Sequence, residues 1–162
     1  MAALVLALCD AAVGATPTTL EVDANARAAG NERPAAVALA RTLLARPWAA
    51  QITRVRVERA GEHVVAGLTL SGVKLRRQVG SDEFLREANA LVDLALQSAP
   101  ELEEVDLTVT VPLEAGVGTA TSGDFGRAGS RTVFTLTVRR AEPKAREAYF
   151  DPAWRSGLDR VR

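Results

Sequence analysis

The stretch EEVDLTVTVPL, residues 103–113, decides the fold because its side chains alternate strictly between apolar and polar. The apolar side carries Val105, Leu107, Val109 and Val111, and the polar side carries Asp106, Thr108 and Thr110. Alternation with a period of two is typical of a β-strand with one buried face and one solvated face. The stretch therefore predicts a sheet that is covered on one side only.

Three further strands follow the same rule. TVFTLTVRR, residues 132–140, sets Phe134, Leu136 and Val138 against Thr135, Thr137 and Arg139. ITRVRVERAGEHVVAGLTLSG, residues 52–72, contains two alternating runs separated by a turn at residues 60–63. Two strands joined by a short turn are the simplest interpretation, and the second strand extends past Gly72 if Val73 and Leu75 continue it.

Two segments have helical periodicity. In ERPAAVALARTLLARP the apolar face is formed by Val37, Ala40, Leu43 and Leu44. Pro34 suits the first turn, Pro47 ends the helix, and Trp48 is expected to anchor the helix end in the core. In SDEFLREANALVDLALQSAP, Ser81 is the expected N-cap, and the predicted core stripe consists of Phe84, Ala88, Leu91, Val92 and Ala95.

Together these elements predict an α+β fold. We expect a two-layer sandwich with a mainly antiparallel four-stranded sheet, helices on one face and the order α-β-β-α-β-β plus a helical C-terminal tail. The domain itself spans residues 32–140, and the tail, residues 141–162, packs onto it. The tail holds Tyr149, Phe150 and Trp154, which are expected to pin it to the domain; the alternative is an exposed aromatic patch for a partner or glycan.

The order strand, turn, strand, helix, strand in VRVERAGEHVVAGLTLSG and ELEEVDLTV is similar to that of small periplasmic BON-type modules. The similarity covers less than half of the chain and includes no diagnostic motif. The additional strand, the glycine-rich segment and the long tail depart from it. No family is assigned on this basis.

The N-terminus has features of an export leader. Ala2–Cys9 is a short apolar run, and small residues around Ala15 suit cleavage, so residues 1–15 are a predicted leader and residues 16–31 a flexible linker or arm. No Lys or Arg precedes Arg27, so the usual positive start is missing. Lipoprotein anchoring through Cys9 is a weaker alternative, because Leu8 stands where a small residue is expected, and an apolar helix packed on the core is a third. The run is too short to span a bilayer, so we expect a periplasmic or secreted protein without a transmembrane span.

Composition excludes several chemistries. Twenty basic residues balance twenty acidic ones, so the chain has no net positive charge that would attract nucleic acid. We therefore do not expect a nucleic-acid partner. One cysteine and one histidine leave neither an intramolecular disulfide nor a usual zinc site, and we predict no metal, no cofactor and no catalytic residue. His63 is expected to be an exposed turn residue.

The segment GVGTATSGDFGRAGSRT, residues 116–132, contains five glycines between two predicted strands. No helix follows it and neither lysine lies in it, so a phosphate-binding loop is disfavoured. A connection of this length is typically functional or mobile. Its candidate binding residues are Asp124, Phe125, Arg127 and Arg131.

These observations favour a non-catalytic exported binding or assembly module with a protein or small-molecule partner. The alternative is a small extracytoplasmic hydrolase that uses carboxylates among Glu103, Glu104 and Asp106, or a serine with His63. A hydrolase requires its polar groups to converge, whereas a binding module carries them spread over a sheet face or a loop.

Overall fold

The computed structural model describes residues 33–60, 63–112 and 129–160. The elements in chain order are α1 (Arg33–Leu44), β1 (Ala50–Ala60), β2 (His63–Leu75), α2 (Ser81–Ser98), β3 (Glu104–Pro112), β4 (Ser130–Arg139), β5 (Arg146–Phe150) and α3 (Pro152–Arg160). The α+β class and the four predicted strands are confirmed. The predicted leader and linker lie outside the described residues.

The sheet differs from the prediction in two ways. It has five strands in the spatial order β1-β2-β3-β4-β5, and the central pair β2–β3 is parallel while the other neighbours are antiparallel. Helix α2 explains the parallel pair, because it carries the chain back along the sheet so that β3 starts at the same end as β2. Alternation along a strand reports which face is buried, not the direction of its neighbour.

The two faces of the sheet are unlike. Helices α1 and α2 pack on each other and cover one face, where the apolar side chains of the strands form a single core. In β3 the covered positions Val105, Leu107 and Val109 are fully buried, and the residues between them are half-buried. The prediction of one covered face is thus confirmed in the part of the chain that the structure describes.

Helix α1 is rotated relative to the predicted face. Its buried residues are Ala36, Leu39, Ala40 and Leu43. Val37 and Leu44 are half-buried and only border the core. Trp48 anchors the helix end as expected: its ring is buried, and its Nε1 donates to the Leu43 carbonyl at 2.6 Å.

Helix α2 buries all five predicted stripe residues. Its N-cap is Gly80, not Ser81 as predicted, and Gly80 offers no side-chain cap. The cap comes from α3 instead, since the Asp159 carboxylate accepts from Ser81 N at 2.8 Å and from Ser81 Oγ at 2.9 Å. A carboxylate at a helix N-terminus satisfies free N–H groups and complements the helix dipole.

The C-terminal tail is not wholly helical as predicted. Residues 146–150 form β5, an edge strand paired with β4, before α3 begins at Pro152. Five residues with one half-buried side chain give too short a pattern to reveal a strand. Phe150 and Trp154 do pin the tail, because both rings stack with Phe84 of α2, at centroid distances of 6.1 and 5.1 Å. Tyr149 points the other way and is half-exposed.

Strand β2 bulges near its end. Ile52 of β1 pairs with Leu70, and Ala50 pairs with Leu75, so four residues of β2 face one of β1. Gly72 lies in this bulge, where a Cβ atom would stand 2.7 Å from Val111 Cγ1. Glycine therefore permits the close contact between the bulge and β3, and Val73 is left 59% exposed.

Candidate functional site

The face of the sheet opposite helices α1 and α2, which none of the described helices covers, is called the open face here and is lined mainly by short hydroxyl side chains. The strand register places residues from neighbouring strands in rows across it. The central row is Arg54, Thr69, Thr108, Thr135 and Tyr149, followed on one side by Arg56, Gly67, Asp106, Thr137 and Glu147, and on the other by Ser71, Thr110 and Thr132. The middle strands β2, β3 and β4 thus present a Thr-rich surface, whereas Ser71 is buried and its Oγ accepts from Val73 N and Lys74 N.

The centre of the open face is flat and half-buried. Thr69, Thr108 and Thr135 are only partly accessible because each lies beside its neighbours in the row. Thr137 Oγ1 donates to Asp106 Oδ1 at 2.6 Å, which fixes two neighbouring side chains of the next row. Gly67 has no side chain, so nothing projects from the open face at that position of the row.

The rims of the open face carry charged side chains, two of which are paired. Arg54 and Arg56 are exposed on the β1 rim, where Arg56 pairs with Glu58. On the β5 rim, Glu147 pairs with Arg139, and the neighbouring Tyr149 is 51% exposed. The open face therefore combines a hydroxyl-lined centre with one rim that carries arginines and one that carries a tyrosine.

Ion pairs dominate the end of the sheet where β2 and β3 begin. His63 pairs with Glu103, and Arg139 bridges Glu104 and Glu147 with its Nε 2.7 Å and its Nη1 3.3 Å from their carboxylate oxygens. All of these groups except Glu147 border a cleft of about 560 Å³. The hydrogen bond to Glu103 raises the pKa of His63, and the charges of Glu103 and Glu104 raise it further against a small desolvation effect. The hydrogen bond to Glu104 likewise raises the pKa of Arg139.

Arg140 forms the wall of this cleft and has a structural role. Its guanidinium donates to the carbonyls of Leu96, Ala99 and Leu102 at 2.6–2.9 Å. These carbonyls belong to the last turn of α2 and the loop after it, which lack helical partners. Arg140 therefore caps α2 from β4.

The carboxylates proposed for a hydrolase do not converge as free groups. Glu103 is bound by His63, Glu104 by Arg139, and Asp106 by Thr137. Of the two serines considered with His63, Ser122 lies outside the described residues. Ser130 pairs with Pro112, eight residues along β3 from the Glu104 end where His63 lies, which corresponds to roughly 26 Å of strand. His63 is exposed, as expected from the sequence, and its Nδ1 is hydrogen-bonded to the Glu103 carboxylate.

The predicted loop residues Asp124, Phe125 and Arg127 lie outside the described residues. Arg131, the fourth, is at the start of β4, where its Nη1 is 3.2 Å from Asp151 Oδ2. Asp151 in turn accepts from Trp154 N at 2.9 Å, so it caps α3. Arg131 therefore links β4 to α3, and its side chain remains about half-exposed.

Two absences concern only the described part of the chain. Among residues 33–60, 63–112 and 129–160, no three His, Cys, Asp or Glu side chains are arranged to hold a metal ion. No helix within these same ranges is long and apolar enough to cross a bilayer.

The alternating pattern of β3 and β4 predicted which of their threonines lie on the open face, but it did not predict the rows that these residues form. Rows depend on register, which only the paired strands reveal. Tyr149 was missed as part of this face because β5 was not recognised. Comparison with known proteins gives no match to a family model, to a curated protein or to a solved structure.

Proposed function

We propose that the protein is a non-catalytic, exported binding module that docks a protein partner on its open face. The row Arg54, Thr69, Thr108, Thr135 and Tyr149 carries this proposal. It provides hydroxyl donors and acceptors across the middle of the sheet, between a cation and an aromatic ring. Tyrosine and arginine are the residue types that most often contribute strongly to protein interfaces.

The shape of the open face favours a protein over a small molecule. Small-molecule sites are concave, whereas the described part of this face is a row-by-row sheet surface of short, half-buried side chains. Five strands span roughly 19 Å, and the rows from Val65 to Ser71 span roughly 20 Å, which gives an area on the order of 400 Å². Counted on both partners, this area is about 800 Å², below the range of stable specific interfaces, so we expect weak and reversible docking.

The charged rims orient the partner. Arg54 and Arg56 lie on one outer strand, and Glu147 lies on the other. A partner with the complementary order of charges is favoured in one orientation and repelled in the reverse one. We expect the association rate, more than the dissociation rate, to fall as salt is added.

The glycine-rich segment, residues 116–132, is a second candidate contact region for the partner. Strand β3 ends at Pro112 and β4 begins at Ser130, so the segment leaves and re-enters the sheet at the Ser71 end of the open face. Asp124, Phe125 and Arg127 remain candidate contacts on sequence grounds. Arg131 is a weaker candidate, because it already links β4 to α3.

Capture from the native envelope fraction tests the proposal. Thr108→Glu with Thr135→Glu places two charges in the centre of the open face, and Thr42→Glu with Ser98→Glu places the same charges at exposed helical positions. We expect the first pair to abolish capture of the partner and the second pair to retain it, with cooperative thermal unfolding in both. Equal capture by both variants would exclude the open face.

A third variant tests the segment separately. Residues 116–128 are replaced by Asn-Gly, which leaves Ser130 and Arg131 in β4. We expect the fold to survive, since a flexible connection closes at a cost that changes slowly with its length. Loss of capture with intact folding would place the segment in the interface, and unchanged capture would leave the open face as the whole site.

Export requires its own measurement. Mass spectrometry of the native protein should find an N-terminus at or near Thr16. An intact Met1 in a cytosolic fraction would contradict export without touching the binding proposal.

A further inference from the structure

Gly157 occupies a position where neither backbone nor packing requires glycine. It lies inside α3, a nine-residue helix, where glycine is less favourable than alanine. A Cβ atom built on Gly157 would meet no atom within 4 Å. Glycine at this position leaves open space beside the helix.

The open space belongs to a cleft of about 440 Å³ between α3 and the loop that follows β2. Its walls are mainly apolar and comprise Leu75, Val79, Trp154 and Leu158. Trp154 is held firmly, since its Nε1 donates to the Gly72 carbonyl at 3.2 Å and its ring stands edge-to-face with Phe84. The volume is in the range of small-molecule sites.

The cleft has a cation available at its border. Arg76 and Arg77 both line it. Arg77 is engaged by Glu83 and Glu87 of α2. The Arg76 guanidinium is exposed and has no partner among the described residues, so it is the group that can bind an anion.

The neighbouring surface carries charges of both signs. A second cleft of about 400 Å³ shares Val79 and Leu158 with the first and is lined by Asp82, Glu83 and Arg86. Its two carboxylates are paired, Asp82 with Arg155 and Glu83 with Arg77. Within the apolar cleft itself, Arg76 is therefore the cation available to an anionic group.

We propose that this cleft binds a small aromatic carboxylate, with its ring between Trp154 and Leu158 over Gly157 and its carboxylate on Arg76. A flat ring fits the space left by the missing side chain and stacks on an aromatic wall. Guanidinium binds carboxylate in a planar, two-pronged geometry. The site is separate from the open face and does not depend on the proposed function.

The probe is 2-naphthoate, added to the full chain and followed by calorimetry and by amide NMR. We expect saturable binding with a Kd of about 1 mM or tighter, the level set by a ligand of this size. The amides of Gly157 and Leu158 should shift. Absence of saturable binding, or shifts confined to other regions, would overturn the proposal.

Two variants separate the ring from the carboxylate. Gly157→Leu fills the cleft and should abolish binding, whereas Gly157→Ala should retain it. Arg76→Gln should weaken 2-naphthoate about tenfold or more, while the exposed Arg41→Gln on α1 should have no effect. The neutral 2-naphthylmethanol should bind wild type and Arg76→Gln equally weakly.

Unchanged affinity in Gly157→Leu would show that the probe binds elsewhere. If Arg76→Gln and Arg41→Gln weakened the binding of 2-naphthoate equally, the effect would come from the net charge of the protein and not from a contact with Arg76. That result would also contradict the proposed site. The Thr108→Glu, Thr135→Glu variant should bind 2-naphthoate like wild type, so failure of the open-face proposal and failure of this one are distinguishable.

Discussion

The two faces of the sheet are made by the same strands and yet have opposite roles. In β3 the covered side chains Leu107 and Val109 are fully buried, while Thr108 between them is half-exposed. Apolar burial contributes roughly 25 cal/mol per Å², so the covered face carries most of the folding free energy. The open face contributes little to the free energy of folding, so its side chains can be replaced at small cost in stability.

The largest expected effect tests this difference within one strand. Leu107→Ala removes a fully buried side chain and should cost about 2–5 kcal/mol in the free energy of unfolding. The neighbouring Thr108→Ala should change it by about half a kcal/mol or less. Urea denaturation of both variants gives the comparison, and similar losses would mean that the faces of β3 are misassigned.

A second test uses two adjacent arginines at the end of β4. Arg140 binds three carbonyls beside the core, and Arg139 forms ion pairs on the open face. Arg140→Gln should cost roughly 1–2 kcal/mol, since bonds to a charged group are strong but this group is partly exposed. Arg139→Gln should cost about 0–1 kcal/mol, the range for exposed ion pairs.

Chemical denaturation measures both variants under the same salt conditions. The loss in Arg139→Gln should shrink as salt is added, because exposed pairs are screened. A larger loss for Arg139 than for Arg140 would contradict the division between the faces.

The sequence predicted what alternation and helical periodicity encode. All five stripe residues of α2 and the two-sided pattern of β3 and β4 were found as expected. These signals are local, and the difference between buried and exposed positions is large. The prediction failed where partners are distant in sequence: Asp159 caps Ser81 across 78 residues.

The candidate sites were harder to predict for the same reason. The rows of the open face depend on register among five strands, and the cleft at Gly157 depends on α3 meeting the loop after β2. Arg131 was predicted to be a binding residue because it follows a glycine-rich segment, but in the structure its side chain contacts Asp151. The residues that flank a position in the sequence do not show which residues it contacts in the folded protein.

The third prediction concerns Gly157 of α3, where a Cβ atom would meet no neighbouring atom within 4 Å. Gly157→Ala should stabilise the protein by about 0.5–1 kcal/mol, because alanine reduces the freedom of the unfolded chain and meets no obstacle. Gly72→Ala is the contrasting control. Its Cβ would approach Val111 to 2.7 Å, so it should destabilise instead.

Thermal unfolding at one pH measures both glycine variants. A loss of stability in Gly157→Ala would show that the cleft is narrower than the structure indicates. A gain in Gly72→Ala would show that the β2 bulge relaxes at no cost.

The smallest expected effect lies at the polar end of the sheet, where His63 and Glu103 pair in solvent. The hydrogen bond to Glu103 raises the pKa of His63 in the folded protein above its ordinary value of 6.5. A raised folded pKa means that the stabilising contribution is fully present below the unfolded pKa and is lost as the pH rises through the folded pKa. The stability difference between wild type and His63→Asn should therefore be fully present below about pH 6.5 and shrink as the pH rises above that value.

The imidazole is the only one in the chain, so its NMR titration can be followed without overlap. We expect a midpoint above 6.5 in wild type and a lower midpoint in Glu103→Gln. Glu147→Gln, which removes a carboxylate bound to Arg139 instead, should leave the midpoint where it is. A midpoint at or below 6.5 in wild type would show that the pair does not persist in solution, and the polar end of the sheet would then offer His63 and Glu103 to a partner as separate groups.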